Sequence, residues 1–154
     1  MIRNSLDRVS VAISADDGDA DDSREHAIRM ATAVLMVDVA RADYDFDESE
    51  FERMFDLIES HFALEPDVAA ELIDAASEEA EALVSLHEFT QLLHQHLDDS
   101  EKERVVSLLW QIAYADGRLD KYEDSLVLKI SDLLHVSRGR VMRLKHDAAN
   151  GGRG

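Results

Sequence analysis

Two twelve-residue segments of this chain match each other position by position, 73 residues apart. Residues 39–50 read VARADYDFDESE, and residues 112–123 read IAYADGRLDKYE. Both segments place an Ala-Asp step before a short stretch that ends in Asp-x-x-Glu. Because a repeated pattern is typical of a repeated supersecondary unit, the sequence predicts two helical hairpins packed around a pseudo-two-fold axis.

The rest of the chain carries apolar residues at helical spacing. The clearest stripe, at i, i+3, i+4, i+7 and i+11, is Phe51, Met54, Phe55, Ile58 and Phe62. No segment alternates with period two, so we expect an all-α fold without strands. The spacing predicts a compact bundle of seven helices, near residues 22–41, 47–62, 65–83, 86–97, 100–115, 120–135 and 137–147. The fifth is apolar on most sides between Val105 and Ile112, which predicts a buried central helix.

Polar residues mark where these helices should begin. In a capping box, an Asp, Ser or Thr side chain accepts a hydrogen bond from the backbone three residues later, where a Glu reciprocates. Five occurrences of this pattern are assigned to helix starts, at Asp22–Glu25, Asp47–Glu50, Ser85–Glu88, Ser100–Glu103 and Asp120–Glu123. Pro66 suits the first turn of the third helix, and Ser137 is the expected cap of the last.

The charge of the chain narrows its partners. Acidic residues outnumber basic ones 34 to 16, for a formal charge of −18. A phosphate backbone would be repelled, so we expect no nucleic-acid ligand, and a cation or a basic protein is favoured instead. The chain has no Cys, which excludes disulfides and thiolate metal sites. No apolar run approaches the roughly 20 residues of a transmembrane segment, and no signal peptide is evident, so the sequence predicts a cytoplasmic protein.

Composition divides the chain into three regions. Residues 1–22 include ADDGDADD and predict a flexible acidic leader; residues 23–147 form the helical domain, and residues 148–154 a flexible tail. Residues 138–154 differ in charge, because they hold five basic side chains against one acidic one. Such a helix could bind anionic lipid, but the preferred interpretation is that it rests on the acidic surface of its own domain.

The second copy of the repeat, together with its continuation to Ser137, resembles the TerB family, which is named for tellurite resistance. A similar domain occurs in membrane-anchored J-domain co-chaperones of the DjlA type. The first copy, residues 42–64, resembles the same pattern with Tyr44 where the second copy has Gly117. The resemblance covers about residues 25–147. It implies a compact all-helical domain and an association with stress response, membrane-linked complexes and metal binding, without a defined activity.

The repeated acidic turns, here called the acidic segments (residues 43–50 and 116–123), predict a cation site. Their carboxylates are those of Asp43, Asp45, Asp47, Glu50, Asp116, Asp120 and Glu123. Hard cations prefer oxygen ligands, so Ca²⁺ or another divalent cation is the expected ligand. The spacing excludes an EF-hand, which counted from Asp43 would need Gly at Glu48 and Glu at Met54. The competing interpretation is structural, since Asp-x-x-Glu already serves as a capping box.

Catalytic motifs are missing from the sequence. The chain has no G-x-S-x-G, no phosphate-binding loop and no G-x-G-x-x-G, and its seven His residues show no metal-ligand spacing. The sequence therefore favours a non-enzymatic, stress-associated interaction module that binds a divalent cation through the acidic segments. The alternative is a metal-independent adaptor for a basic or membrane-associated protein partner. An enzyme using these carboxylates would need a deep cleft between the two segments.

Overall fold

The computed structural model describes residues 20–42, 48–82, 85–115 and 119–150, and within these ranges the chain forms helices and turns without a strand. The all-α prediction is confirmed. The helices of this part of the chain are α1 (Ala20–Ala40), α2 (Glu48–Phe62), α3 (Pro66–Ala82), α4 (His87–His96), α5 (Asp99–Ala113), α6 (Lys121–Leu133) and α7 (Arg138–Ala149). Each lies within two residues of its predicted bounds. Most of the predicted leader and tail lies outside the described residues.

Three predicted helix starts are confirmed. The Asp120 carboxylate accepts hydrogen bonds from the backbone N–H groups of Tyr122 at 2.8 Å and Glu123 at 3.3 Å, and so caps α6. The Ser137 hydroxyl accepts from the backbone of Arg140 at 3.3 Å and caps α7. Pro66 is the first residue of α3, where its missing N–H costs nothing. Asp47 lies outside the described residues, so its capping role stays a prediction.

The predicted cap of α5 at Ser100 is wrong. The N-cap of α5 lies two residues earlier, in a complete capping box in which the Asp98 side chain accepts from the Glu101 backbone N–H at 2.8 Å and the Glu101 side chain accepts from the Asp98 backbone N–H at 2.9 Å. The backbone at Asp98 is extended (φ −81°, ψ 176°), which suits an N-cap, whereas Ser100 is already helical.

The predicted starts of α1 and α4 also need correction. Helix α1 begins at Ala20, so Asp22 lies inside its first turn and is not its N-cap. The N-cap position of α4 is occupied by Leu86, which supplies no side-chain hydrogen bond. The Ser85 hydroxyl, one residue earlier, still accepts from the His87 backbone at 3.1 Å.

Helix α1 forms the centre of the fold. Every residue from Ala31 to Val37 has a relative exposure of zero, and α1 packs against each of α2 to α6. The predicted buried helix, α5, lies beside it, with Leu109 and Trp110 fully buried. The sequence indicates only one apolar face for α1. Its alanines let neighbouring helices approach closely on the other sides, so that the whole middle of the helix leaves water.

The repeat extends over three helices in each half. Helices α1, α2 and α3 correspond to α5, α6 and α7, and α4 lies between the two sets in sequence. The contacts correspond as well, because α1 packs extensively on α3 as α5 does on α7, and α2 contacts α5 as α6 contacts α1. The repeated unit is thus larger than the predicted hairpin. The pseudo-two-fold axis itself stays a prediction.

The ends of α2 and α6 share an unusual backbone conformation. Ala63 and His135 have positive φ angles of 54° and 65°, the left-handed region that favours glycine. Each is followed by a residue whose N–H reaches back to a carbonyl in the last turn, from Leu64 to Glu59 and from Val136 to Ser131, both at 3.1 Å. The two copies therefore end their second helix in the same way.

Candidate functional site

Two buried carboxylates occupy equivalent positions in the two copies of the repeat. Glu50 is the third residue of α2 and Glu123 the third residue of α6, and each has a relative exposure of 3%. An acidic side chain in the first turn of a helix is favoured by the helix dipole. The burial of these side chains needs a separate explanation. Moving a carboxylate out of water costs free energy, which hydrogen bonds or opposite charges must offset.

Capping alone does not account for this burial. Glu101 occupies the N3 position in the complete capping box of α5, and it is exposed. The same residue type at the start of α2 and α6 is almost fully removed from water. This difference in exposure arises from tertiary packing. The first turns of α2 and α6 come after the buried helices α1 and α5 in the chain, separated from them by the acidic segments.

The described residues around the acidic segments lie at one end of the bundle. The N-terminal halves of α1 and α5 line a common cavity, which places those halves on one side of the bundle. Towards their other end, the Arg53 guanidinium of α2 donates to Gln111 of α5 at 3.1 Å. Asp38 in the last turn of α1 lies near Lys129 of α6; burial raises the pKa of Asp38, opposed by Arg41 and Lys129. The C-terminal ends of α1 and α5, which precede the acidic segments in the chain, therefore lie away from the cavity.

The seven predicted metal ligands divide into two sets. Four of them, Asp43, Asp45, Asp47 and Asp116, lie outside the described residues. Asp120 caps α6, which confirms the structural interpretation for that residue, and Glu50 and Glu123 are the buried pair. Within the described ranges alone, no group of three or more His, Asp and Glu side chains is arranged to hold a metal ion. A complete cation site would thus require carboxylates of residues 43–47 and 116.

A cavity of about 370 Å³, which no pattern in the sequence predicts, lies against the N-terminal halves of α1 and α5. Its polar wall includes Arg24, Arg104, His61 and His96. Burial lowers the pKa of His61, and Arg104 lowers it further; burial and then Arg24 lower that of His96. Four separate helices contribute to this cavity, so no local motif reveals it.

A second cluster joins α4, α5 and the turn after α6. The Nζ atom of Lys102, which is buried, lies 2.6 Å from Nδ1 of His94, and the rings of His94 and His135 have centroids 4.2 Å apart. Burial lowers the pKa of His94, followed by the charges of Lys102 and His135. Nδ1 of His94 can accept from the Nζ atom of Lys102 in the tautomer that carries the ring proton on Nε2.

The basic last helix rests on the acidic surface of its own domain, as the preferred interpretation predicts. Lys145 lies 2.7 Å from Asp124, and its Nζ atom sits 5.3 Å from the ring centroid of buried Trp110. Two arginines of α7 also form ion pairs with this surface, Arg138 with Asp132 at 3.2 Å and Arg140 with Glu103 at 3.1 Å. Among the described helices, none combines the length and hydropathy that a bilayer crossing requires.

These features define a class, an all-α domain built from a repeated three-helix unit in which an acidic segment follows each buried first helix. A family model described as tellurite resistance protein TerB matches residues 29–146. The chain belongs to the TerB family, as the resemblance of its repeated segments predicts. No curated protein and no solved structure matches the chain.

Proposed function

We propose that this protein is a non-enzymatic, stress-associated interaction module that binds a divalent cation through its two acidic segments. The observation that supports the cation is the equivalent burial of Glu50 and Glu123, beside the exposure of Glu101 at the same helix position. A bound cation would pair with both carboxylates, and it would draw further oxygen ligands from the aspartates that precede them.

Convergence supports one shared site over two separate ones. The described C-terminal ends of α1 and α5 precede the two acidic segments in the chain, and α2 contacts α5 as α6 contacts α1. Carboxylates from the two copies can then serve one ion of high coordination number. Ca²⁺ accepts six to eight oxygen ligands, which suits a set drawn from both segments. Membership of the TerB family supports the stress-associated part of the proposal.

Calorimetric titration with CaCl₂ at physiological ionic strength tests the cation. We expect binding tighter than millimolar, weakened at least about tenfold in Glu50→Gln and in Glu123→Gln, because each removes a charged ligand. Glu101→Gln is the matched control, since it makes the same change at the N3 position of α5. Absence of binding below millimolar, or equal effects in all three variants, would refute the proposal. The stress association is tested by growth on tellurite. A deletion strain that carries the Glu50→Gln chain is compared with the same strain carrying the wild-type chain.

The second candidate function is a metal-independent adaptor, and helix α3 favours it. Its exposed face carries acidic side chains one helical turn apart, and α3 has no basic residue to pair with them. The face consists of Asp67, Glu71, Asp74, Glu78 and Glu81. Such a stripe suits a basic protein partner. If EDTA changes neither the melting temperature nor the capture of that partner, and α3 charge reversal abolishes capture, the adaptor replaces the cation-binding module.

A further inference from the structure

The cavity between α1, α2, α4 and α5 combines cationic groups at its opening with an apolar interior. Arg24 and Arg104 are exposed at the opening, and Ile28, Phe62 and Val105 provide apolar wall. A cavity of about 370 Å³ lies within the range of small-molecule sites. Two arginines on one opening stand out in a chain whose formal charge is −18.

The two arginines are available to a ligand. Within the described part of the chain, neither Arg24 nor Arg104 forms an ion pair with a carboxylate; Arg24 donates only to the backbone carbonyl of His96, at 3.3 Å. The carboxylates on the cavity wall have other partners. Glu25 lies 3.5 Å from Arg29, and Glu101 accepts the backbone N–H of its capping box.

The interior holds a polar atom without a partner. The hydroxyl of Thr32 belongs to a side chain with zero exposure on the cavity wall, and it makes no hydrogen bond. A helical Thr ordinarily bonds back to a carbonyl of the preceding turn, so an unused hydroxyl here is costly. An ordered water inside the cavity, beside the apolar part of a ligand, would satisfy it. His61 and His96, neutral because their pKa values are lowered, offer further hydrogen bonds on the way in.

We infer that this cavity binds a small organic anion, a carboxylate on an apolar chain or ring. Its carboxylate is held by Arg24 and Arg104 at the opening, and its apolar part lies against Ile28, Phe62 and Val105. This site is distinct from the proposed cation site, since the two lie at opposite ends of α1 and α5. It requires neither a metal nor a protein partner.

NMR titration of the full chain with sodium octanoate tests the inference, with octan-1-ol and inorganic phosphate as comparisons. We expect saturable shifts at the His61 and His96 rings, and an affinity for octanoate at least about tenfold above that for either comparison compound. Substituting both arginines, in Arg24→Gln/Arg104→Gln, should lower the octanoate affinity by about tenfold or more. Arg143→Gln, at an exposed arginine of α7, is the control and should bind as the wild type does.

Each other outcome overturns the inference. Equal binding of octanol shows an apolar cavity that does not select a charge, and equal binding of phosphate shows a cationic surface without an apolar requirement. Unchanged octanoate affinity in the double variant assigns the anion to other residues. Circular dichroism of the double variant confirms that it is folded, and calcium titration of the same variant separates this site from the proposed cation site.

Discussion

Replacing Ala63 by glycine should stabilise the protein, although glycine usually weakens a helical domain. Ala63 follows the last residue of α2 with φ 54°, and its side chain is exposed. An L-residue in this left-handed conformation places its Cβ too close to the following carbonyl oxygen, which costs about 1–2 kcal/mol. Glycine has no Cβ, so Ala63→Gly removes that cost without opening a cavity in the core.

The size of the gain follows from two opposing contributions. Glycine has more freedom in the unfolded chain than alanine, which reduces the benefit by about 0.4–1 kcal/mol. We therefore expect Ala63→Gly to raise the free energy of unfolding by about 0.5–1 kcal/mol. For a domain of this size, about 1 kcal/mol corresponds to about 2–4 °C in melting temperature.

Ala70→Gly is the matched control, because the same atoms are removed inside α3, where the backbone is helical. That variant should lose about 1 kcal/mol, so the two identical substitutions should move the melting temperature in opposite directions. Thermal unfolding followed by circular dichroism, together with urea titration at equal protein concentration, measures both. A lower melting temperature in Ala63→Gly would refute the assigned left-handed conformation at this residue, and with it the equivalence to His135.

Two further predictions concern the α5 cap and the His94 cluster. Asp98→Ala should cost about 1 kcal/mol in urea unfolding, and Ser100→Ala should stay within about 0.5 kcal/mol of the wild type; the reverse order would restore the cap expected from the sequence. The pKa of His94 is lowered from 6.5 in the folded state, so its contribution to stability is present above pH 6.5 and is lost as the pH falls through the folded pKa. His94→Gln should therefore flatten the loss of stability below pH 6.5, measured by urea unfolding across that range, and an unchanged slope would contradict the assigned environment.

The two proposed sites would give the domain one ligand-binding region at each end of its buried helices. The proposed cation site would involve Glu50 and Glu123 beyond the C-terminal ends of α1 and α5, and the cavity lies against the N-terminal halves of both helices. Since both helices are tightly packed against their neighbours, a ligand at either end binds to a rigid framework. The experiments on the two sites use different variants, so one proposal can be refuted while the other holds.

Helix starts show where local signals succeed and where they do not. Asp120 and Ser137 cap the helices that their sequence patterns predict. At the start of α5 two overlapping patterns, Asp98–Glu101 and Ser100–Glu103, both fit a capping box, and the structure forms the first, directly after the extended residue Leu97. The local pattern does not choose between the two, which explains why the prediction at Ser100 was wrong.

The sequence by itself determined the all-α class, the positions of the helices and the family, because apolar spacing and short repeated motifs are local and survive without knowledge of packing. The tertiary structure alone decided what surrounds each helix. It buried the middle of α1 on every side, removed Glu50 and Glu123 from water while leaving Glu101 exposed, and assembled a cavity from four helices. The burial of a residue depends on residues that are distant in the chain, so it cannot be predicted from the residue's neighbours in sequence.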